Sequence, residues 1–145
     1  SDMFLQNGKS VVGLKQVPMT EVSAYGCVKT TSAPTASGEV TVTDVVEKPA
    51  MHEAPSDLIL IGRYVLHAGM FDMLDELKPA PSGEIQLTDA LLIEAQAGDL
   101  FGVVSSIARF DTGTPMGSLQ AVIELTLQRK DAGAELEAWL KGKYS

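Results

Sequence analysis

The chain has 145 residues, 45% apolar and 21% charged, with a mean hydropathy of +0.11 and a formal net charge of −8. This apolar content excludes a disordered tail, and 13 Gly, 7 Pro and 1 Cys exclude a collagen or a disulfide framework. The acidic balance, with a pI near 4.6, argues against non-specific binding to nucleic acid or anionic membrane, and no apolar run approaches the roughly 18–20 residues of a membrane span. The lone Cys27 allows no internal disulfide, so a cytoplasmic setting is expected. The start Ser1-Asp2-Met3 has no basic stretch before an apolar core and reads as an internal cut rather than a signal peptide.

Taken in order, VVGLKQV at 11–17 is apolar and alternating, which predicts a strand. Residues 18–21 punctuate it, and 25–30 form a second strand around Gly26. The polar run TSAPTASG at 31–38 is a loop. The β-branched VTVTDVVE at 40–47 is a strand that Pro49 stops. After a loop at 51–57, LILIGRYVL at 58–66 is nearly continuously apolar, which predicts a strand covered on both faces.

Met70, Phe71, Leu74 and Leu77 mark one face of a short helix ending before Pro79. Residues 85–97 form another, with Leu87, Ala90, Leu91 and Ala95 on one side and Gly98 as its stop. LFGVVSSI at 100–107 is a strand and DTGTP at 111–115 a tight turn, with Thr114 as N-cap and Pro115 at the first helical position. Met116, Leu119, Val122, Ile123 and Thr126 stripe the next helix, and a last one at 134–140 carries Leu136, Trp139 and Leu140. Strands mixed with amphipathic helices predict a layered α/β fold. Gly26, Glu47-Lys48 and Asp111 fall at loops or strand ends, where ligands gather in such folds.

Five segments stand in a fixed order: AYG at 24–26, VVEKPA at 45–50, GRYVL at 62–66, GEIQLTDA at 83–90 and FDTGTPMG at 110–117. Together they resemble the C-terminal half of bacterial UTP–glucose-1-phosphate uridylyltransferases, a sugar nucleotidyltransferase family. ELEAWL at 135–140 is similar to that family's closing helix, so the likeness runs from about 11 to 140. It implies a Rossmann-like mixed sheet with flanking helices, here incomplete, and a single sugar-phosphate-binding portion over 1–145. The family's G-x-G-T-R loop and the lysine near its PKE motif, which bind the nucleotide triphosphate, have no counterpart here. Nor does the first-half aspartate that shares the metal. The resemblance therefore implies a missing N-terminal half as partner, with activity of the isolated chain in doubt.

The reaction so implied is attack of a glucose 1-phosphate oxygen on the α-phosphorus of UTP, giving UDP-glucose and pyrophosphate. The nucleophile is already ionised, so catalysis consists of positioning two anions and neutralising their charge. By resemblance, Lys48 meets the sugar phosphate as the catalytic cation. Pro49 predicts an extended Lys48 reaching outward. Glu47 accepts hydrogen bonds from sugar hydroxyls. Adjacent strand residues face opposite ways, so using both demands a twist or bulge at that strand end. Gly26 permits close approach of the sugar, and Gly62 is explained either by a close ligand or by a packed helix. Asp111 is the implied carboxylate for Mg²⁺, which takes one or two protein carboxylates plus phosphates and water. Its alternative role is to cap the DTG bend.

His52 and His67 read as surface or packing residues, Trp139 and the six methionines as core packing, Cys27 as a small buried residue, and Thr88-Asp89 as ordering the start of their helix. The alternative reading is a non-catalytic module that binds a sugar phosphate or only assembles with a partner chain. A nucleotidyltransferase for thymidine or another nucleotide is a third reading. A cut sheet would expose strand edges, so a homo-oligomer is expected.

Overall fold

A computed structural model describes residues 2–79, 83–107, 110 and 112–144, all but the side chain of Asp2. Two compact units divide the chain, Ser1–Ser106 and Ile107–Ser145. The first holds a helix α1 (Asp2–Asn7), strands β1 (Ser10–Gln16), β2 (Gly26–Thr30), β3 (Glu39–Glu47), β4 (Leu58–Val65) and β5 (Leu100–Val104), and helices α2 (Met70–Glu76) and α3 (Leu87–Ala97). A 3-10 helix, Met19–Ala24, joins β1 to β2. Neither it nor α1 has a strong apolar period in the sequence.

The sheet is mixed, as expected of the α/β class: β1 runs parallel to β5, and every other pairing is antiparallel. The strands close into a ring in the order β1-β4-β2-β3-β5. The β2–β4 seam is the narrowest, with only Cys27 and Ile59 opposed. Each ring strand thus has a neighbour on both sides, though along the β2–β4 seam the pairing is a single residue long. Alternation along β1 and β3 sends Val12, Leu14, Val40 and Val42 into one core, where Met70, Leu91 and Leu100 join them. Removing these side chains from water is the main favourable term, at roughly 1.5–3 kcal/mol for each fully buried one.

Two apolar readings are corrected here. Strand β4 is buried only over Leu58, Ile59 and Leu60, and 62–65 are exposed. A continuous apolar run shows that a strand can be covered, not that anything covers it. Opposite Gly13 the register between β1 and β4 slips by two residues, and Gly62 sits in this bulge at φ +68°. In α2 the inward stripe is Met70, Met73, Leu74 and Leu77, while Phe71 is 74% exposed. Residues 70, 73, 74 and 77 share one face at 3.6 residues per turn, and 71 lies off it.

α3 begins at Leu87, two residues later than its pattern suggested, and packs Ala90, Leu91 and Ala95 inward. Gly98 ends it in the left-handed region at φ +77°, its N–H donating to the carbonyls of Ala95 and Glu94. β5 ends at Val104, short of 107.

In the second unit, Pro115 opens α4 (Pro115–Leu127) and the Thr114 hydroxyl accepts from the Gly117 N–H at 3.1 Å, the expected cap. α5 (Gly133–Tyr144) carries Trp139, which is exposed rather than core. Lys143 lies 5.1 Å from its ring centroid, and Tyr144 meets it edge-on at 6.3 Å.

Candidate functional site

Strands β2 and β3 bring the start of one beside the end of the other. Gly26 is opposed to Glu47 in the register. The Lys48 N–H donates to the Tyr25 carbonyl at 3.1 Å, one residue further out on both strands. That bond makes Gly26/Glu47 a non-hydrogen-bonded pair, the kind whose side-chain positions lie closest. The side chain of Glu47 uses that proximity. Its Oε2 lies 3.1 Å from the point where a Cβ on residue 26 would sit, and Leu60 Cδ1 and Thr88 Cγ2 approach the same point at 3.0 and 3.4 Å. A side chain here would crowd those three side-chain atoms, and Gly26 is buried at this corner.

Lys48 departs from the extended conformation that Pro49 suggested, with φ at +44°. Non-glycine residues seldom adopt positive φ, and the strain persists where surrounding structure enforces it. Two constraints act here: the ladder bond to Tyr25 holds its N–H, and the next residue, Pro49, is buried. Strict strand alternation thus ends at Lys48, which meets the requirement for a change of direction at the strand tip. Both Glu47 and Lys48 are exposed, and among the described residues neither side chain makes an ion pair or hydrogen bond. An acceptor-only carboxylate and a three-donor cation thus stand side by side, uncommitted.

The charge of Glu47 is felt around it. Burial raises the Tyr64 phenol above its ordinary pKa of 10.0, and the carboxylate adds to the effect. The Cys27 thiol, fully enclosed, is raised above 9.0 for the same two reasons in the same order. Gly62 lies two residues beyond Leu60 on the exposed half of β4, and a Cβ there would meet no atom within 4 Å. Its positive φ, not a packed helix, accounts for the glycine. Asp111 lies outside the described residues. Among the described residues, no three His, Cys, Asp or Glu side chains converge on one point.

The sequence reading missed Leu60 and Thr88 as walls of the Gly26–Glu47 corner, though Thr88 lies within the GEIQLTDA segment. It also missed a polar cluster behind α3. Glu94, only 2% exposed, accepts from the Ser10 hydroxyl at 3.0 Å and contacts His67 Nε2 at 2.5 Å. His67 Nδ1 accepts from the Gly69 N–H at 3.0 Å, which assigns the imidazole proton to Nε2. A cleft of about 470 Å³ opens elsewhere, between Lys15, the loop at 34–38 and 104–106, and none of the sequence candidates lines it.

With this geometry in place, the chain can be set beside known proteins. Residues 5–128 match the nucleotidyl transferase family, and the chain belongs to that family. Among curated relatives, it is 38% identical over 141 residues to UTP–glucose-1-phosphate uridylyltransferase of Escherichia coli K12, covering 95% of this chain and 45% of that one. It is 35% identical over 141 residues to UTP–glucose-1-phosphate uridylyltransferase YngB of Bacillus subtilis, covering 97% and 46%. A crystal structure of UDP-glucose pyrophosphorylase complexed with UDP-glucose superposes with a TM-score of 0.77 at 33% identity, covering 88% of this chain and 48% of that one. The UTP-bound enzyme from Acinetobacter baumannii gives 0.80 at 28% identity, covering 99% and 48%. The chain spans about half the length of the curated relatives it matches. No described helix is long and apolar enough to cross a membrane.

Proposed function

We propose that this chain supplies the hexose-phosphate pocket for uridylyl transfer between UTP and glucose 1-phosphate, in a cytoplasmic enzyme. The observation that carries the proposal is the corner itself: the Glu47 carboxylate seated against a side-chain-free Gly26, with an unpaired Lys48 next in the chain. Glu47 accepts from hexose hydroxyls, Gly26 lets the ring approach the backbone, and Lys48 draws in and orients the sugar phosphate. With its charge offset by the ammonium, that phosphate can be held in line with the α-phosphorus of UTP, which it attacks as pyrophosphate leaves.

Gly62 is assigned the outer margin of the pocket. On its motif, Asp111 is assigned as one of two carboxylates that would hold a Mg²⁺ ion, the other being the aspartate of the family's first half. When bound, that ion offsets phosphate charge. The names of the relatives support the choice of uridine and glucose. The G-x-G-T-R loop that the family uses for its nucleotide is absent from the 145 residues, so these residues alone are expected to bind the sugar phosphate without turning it over.

Calorimetric titration of this chain with glucose 1-phosphate tests the reading. Binding is expected, and Lys48→Ala should weaken it about tenfold or more, the scale of a lost hydrogen bond to a charged group. Equal affinity in the two proteins would remove Lys48 from the pocket.

A further inference from the structure

Two buried side-chain atoms among the described residues lack a hydrogen-bond partner, Glu94 Oε2 and Thr88 Oγ1. Glu94 is paired through its other oxygen, but the Thr88 hydroxyl has nothing, although the residue is only 7% exposed. A buried hydroxyl without a partner costs stability, and a valine of the same shape would avoid that cost. Thr88 also lies at the corner already described. Its methyl carbon stands 3.4 Å from the Cβ point of residue 26, the same point that Glu47 Oε2 approaches to 3.1 Å. One step about χ1 carries the hydroxyl of a threonine into the place its methyl held, and helical threonine populates two such rotamers. That step brings the hydroxyl beside the point that the Glu47 carboxylate also approaches.

We infer that Thr88 is a positioning residue for Glu47: its hydroxyl rotates onto the carboxylate and donates to it when hexose is bound, fixing which lone pairs face the sugar. One carboxylate oxygen is then held by protein and the other is left for the hexose hydroxyls. The unpaired rotamer seen here is the resting position of the device. The inference rests on the reading of Glu47 as the hexose acceptor.

The test is calorimetry of glucose 1-phosphate with this chain, in the wild type, Thr88→Val, Thr88→Ser, Glu47→Gln and the Glu47→Gln, Thr88→Val double variant, with thermal midpoints of all five. Thr88→Val should lower affinity about tenfold, as the loss of one hydrogen bond to a charged group requires. Its thermal midpoint should equal or exceed that of wild type, since an unsatisfied hydroxyl has been removed. Thr88→Ser should keep the wild-type affinity. In the Glu47→Gln background, Thr88→Val should cost less than about threefold, because a neutral acceptor gains less. Wild-type affinity in Thr88→Val overturns the inference, as does equal loss in both backgrounds or a loss that tracks a lowered midpoint. If the wild type itself binds no glucose 1-phosphate, the hexose-pocket reading falls and takes the inference with it. If Lys48→Ala weakens binding but Thr88→Val does not, only the inference falls.

Discussion

Glu47 and Lys48 are neighbours whose backbones obey different rules: one completes a strand, the other sits at φ +44° immediately after it. The residue types at this tip were legible in the sequence, because an E-K-P triplet in order with four other segments is a specific pattern. The conformation was not, since the rule for residues before proline is local and the ladder bond to Tyr25 is not. The Ser10–Glu94–His67 cluster was hidden for a similar reason: its members lie 57 and 84 positions from Ser10, and no short-range spacing marks them.

The thiol of Cys27 and the phenol of Tyr64 yield a prediction at the same scale. Both are raised in the folded chain, so the fold favours their protonated forms. Their contribution is intact below the ordinary values of 9.0 and 10.0 and is lost as the pH climbs past them. Urea midpoints should therefore fall as the pH rises above about 9. A Cys27→Ala, Tyr64→Phe double variant should lose less over that rise, and an identical decline would show that neither group is responsible.

At the scale of the element, ends were easier to read than faces. The Thr114-Pro115 start of α4 and the Gly98 stop of α3 are each set by one or two residues acting on adjacent backbone, and both appear where the sequence placed them. The faces of β4 and α2 depend on what packs against them, which a single run of letters does not record. Gly98 can be tested directly. It has φ +77° and no atom within 4 Å of its Cβ position, so Gly98→Ala adds backbone strain without a clash. A loss of about 1 kcal/mol in urea unfolding is expected, and an unchanged midpoint would mean that the helix end relaxes.

On the scale of the whole molecule, the α/β class was evident from the alternation of element types, but the closure of the sheet was not, because strand pairing is a long-range choice. Ring closure matters for the expected activity as well. The Gly26–Glu47 corner is built wholly from elements of the first unit, β2, β3, β4 and α3. Pyrophosphate release from UTP and glucose 1-phosphate by these 145 residues should stay at background, and should appear when a polypeptide carrying the G-x-G-T-R loop is supplied. Turnover by the chain alone would refute the division of labour.

The ring also sets the order in which the protein can be made. β5 is the last of the described strands, yet it sits between β1, the first, and β3. Until residues 100–104 are made, β1 and β3 each lack the neighbour that β5 supplies along one edge. A polypeptide ending at Asp99 should therefore sediment as aggregate under conditions where all 145 residues together stay in the supernatant.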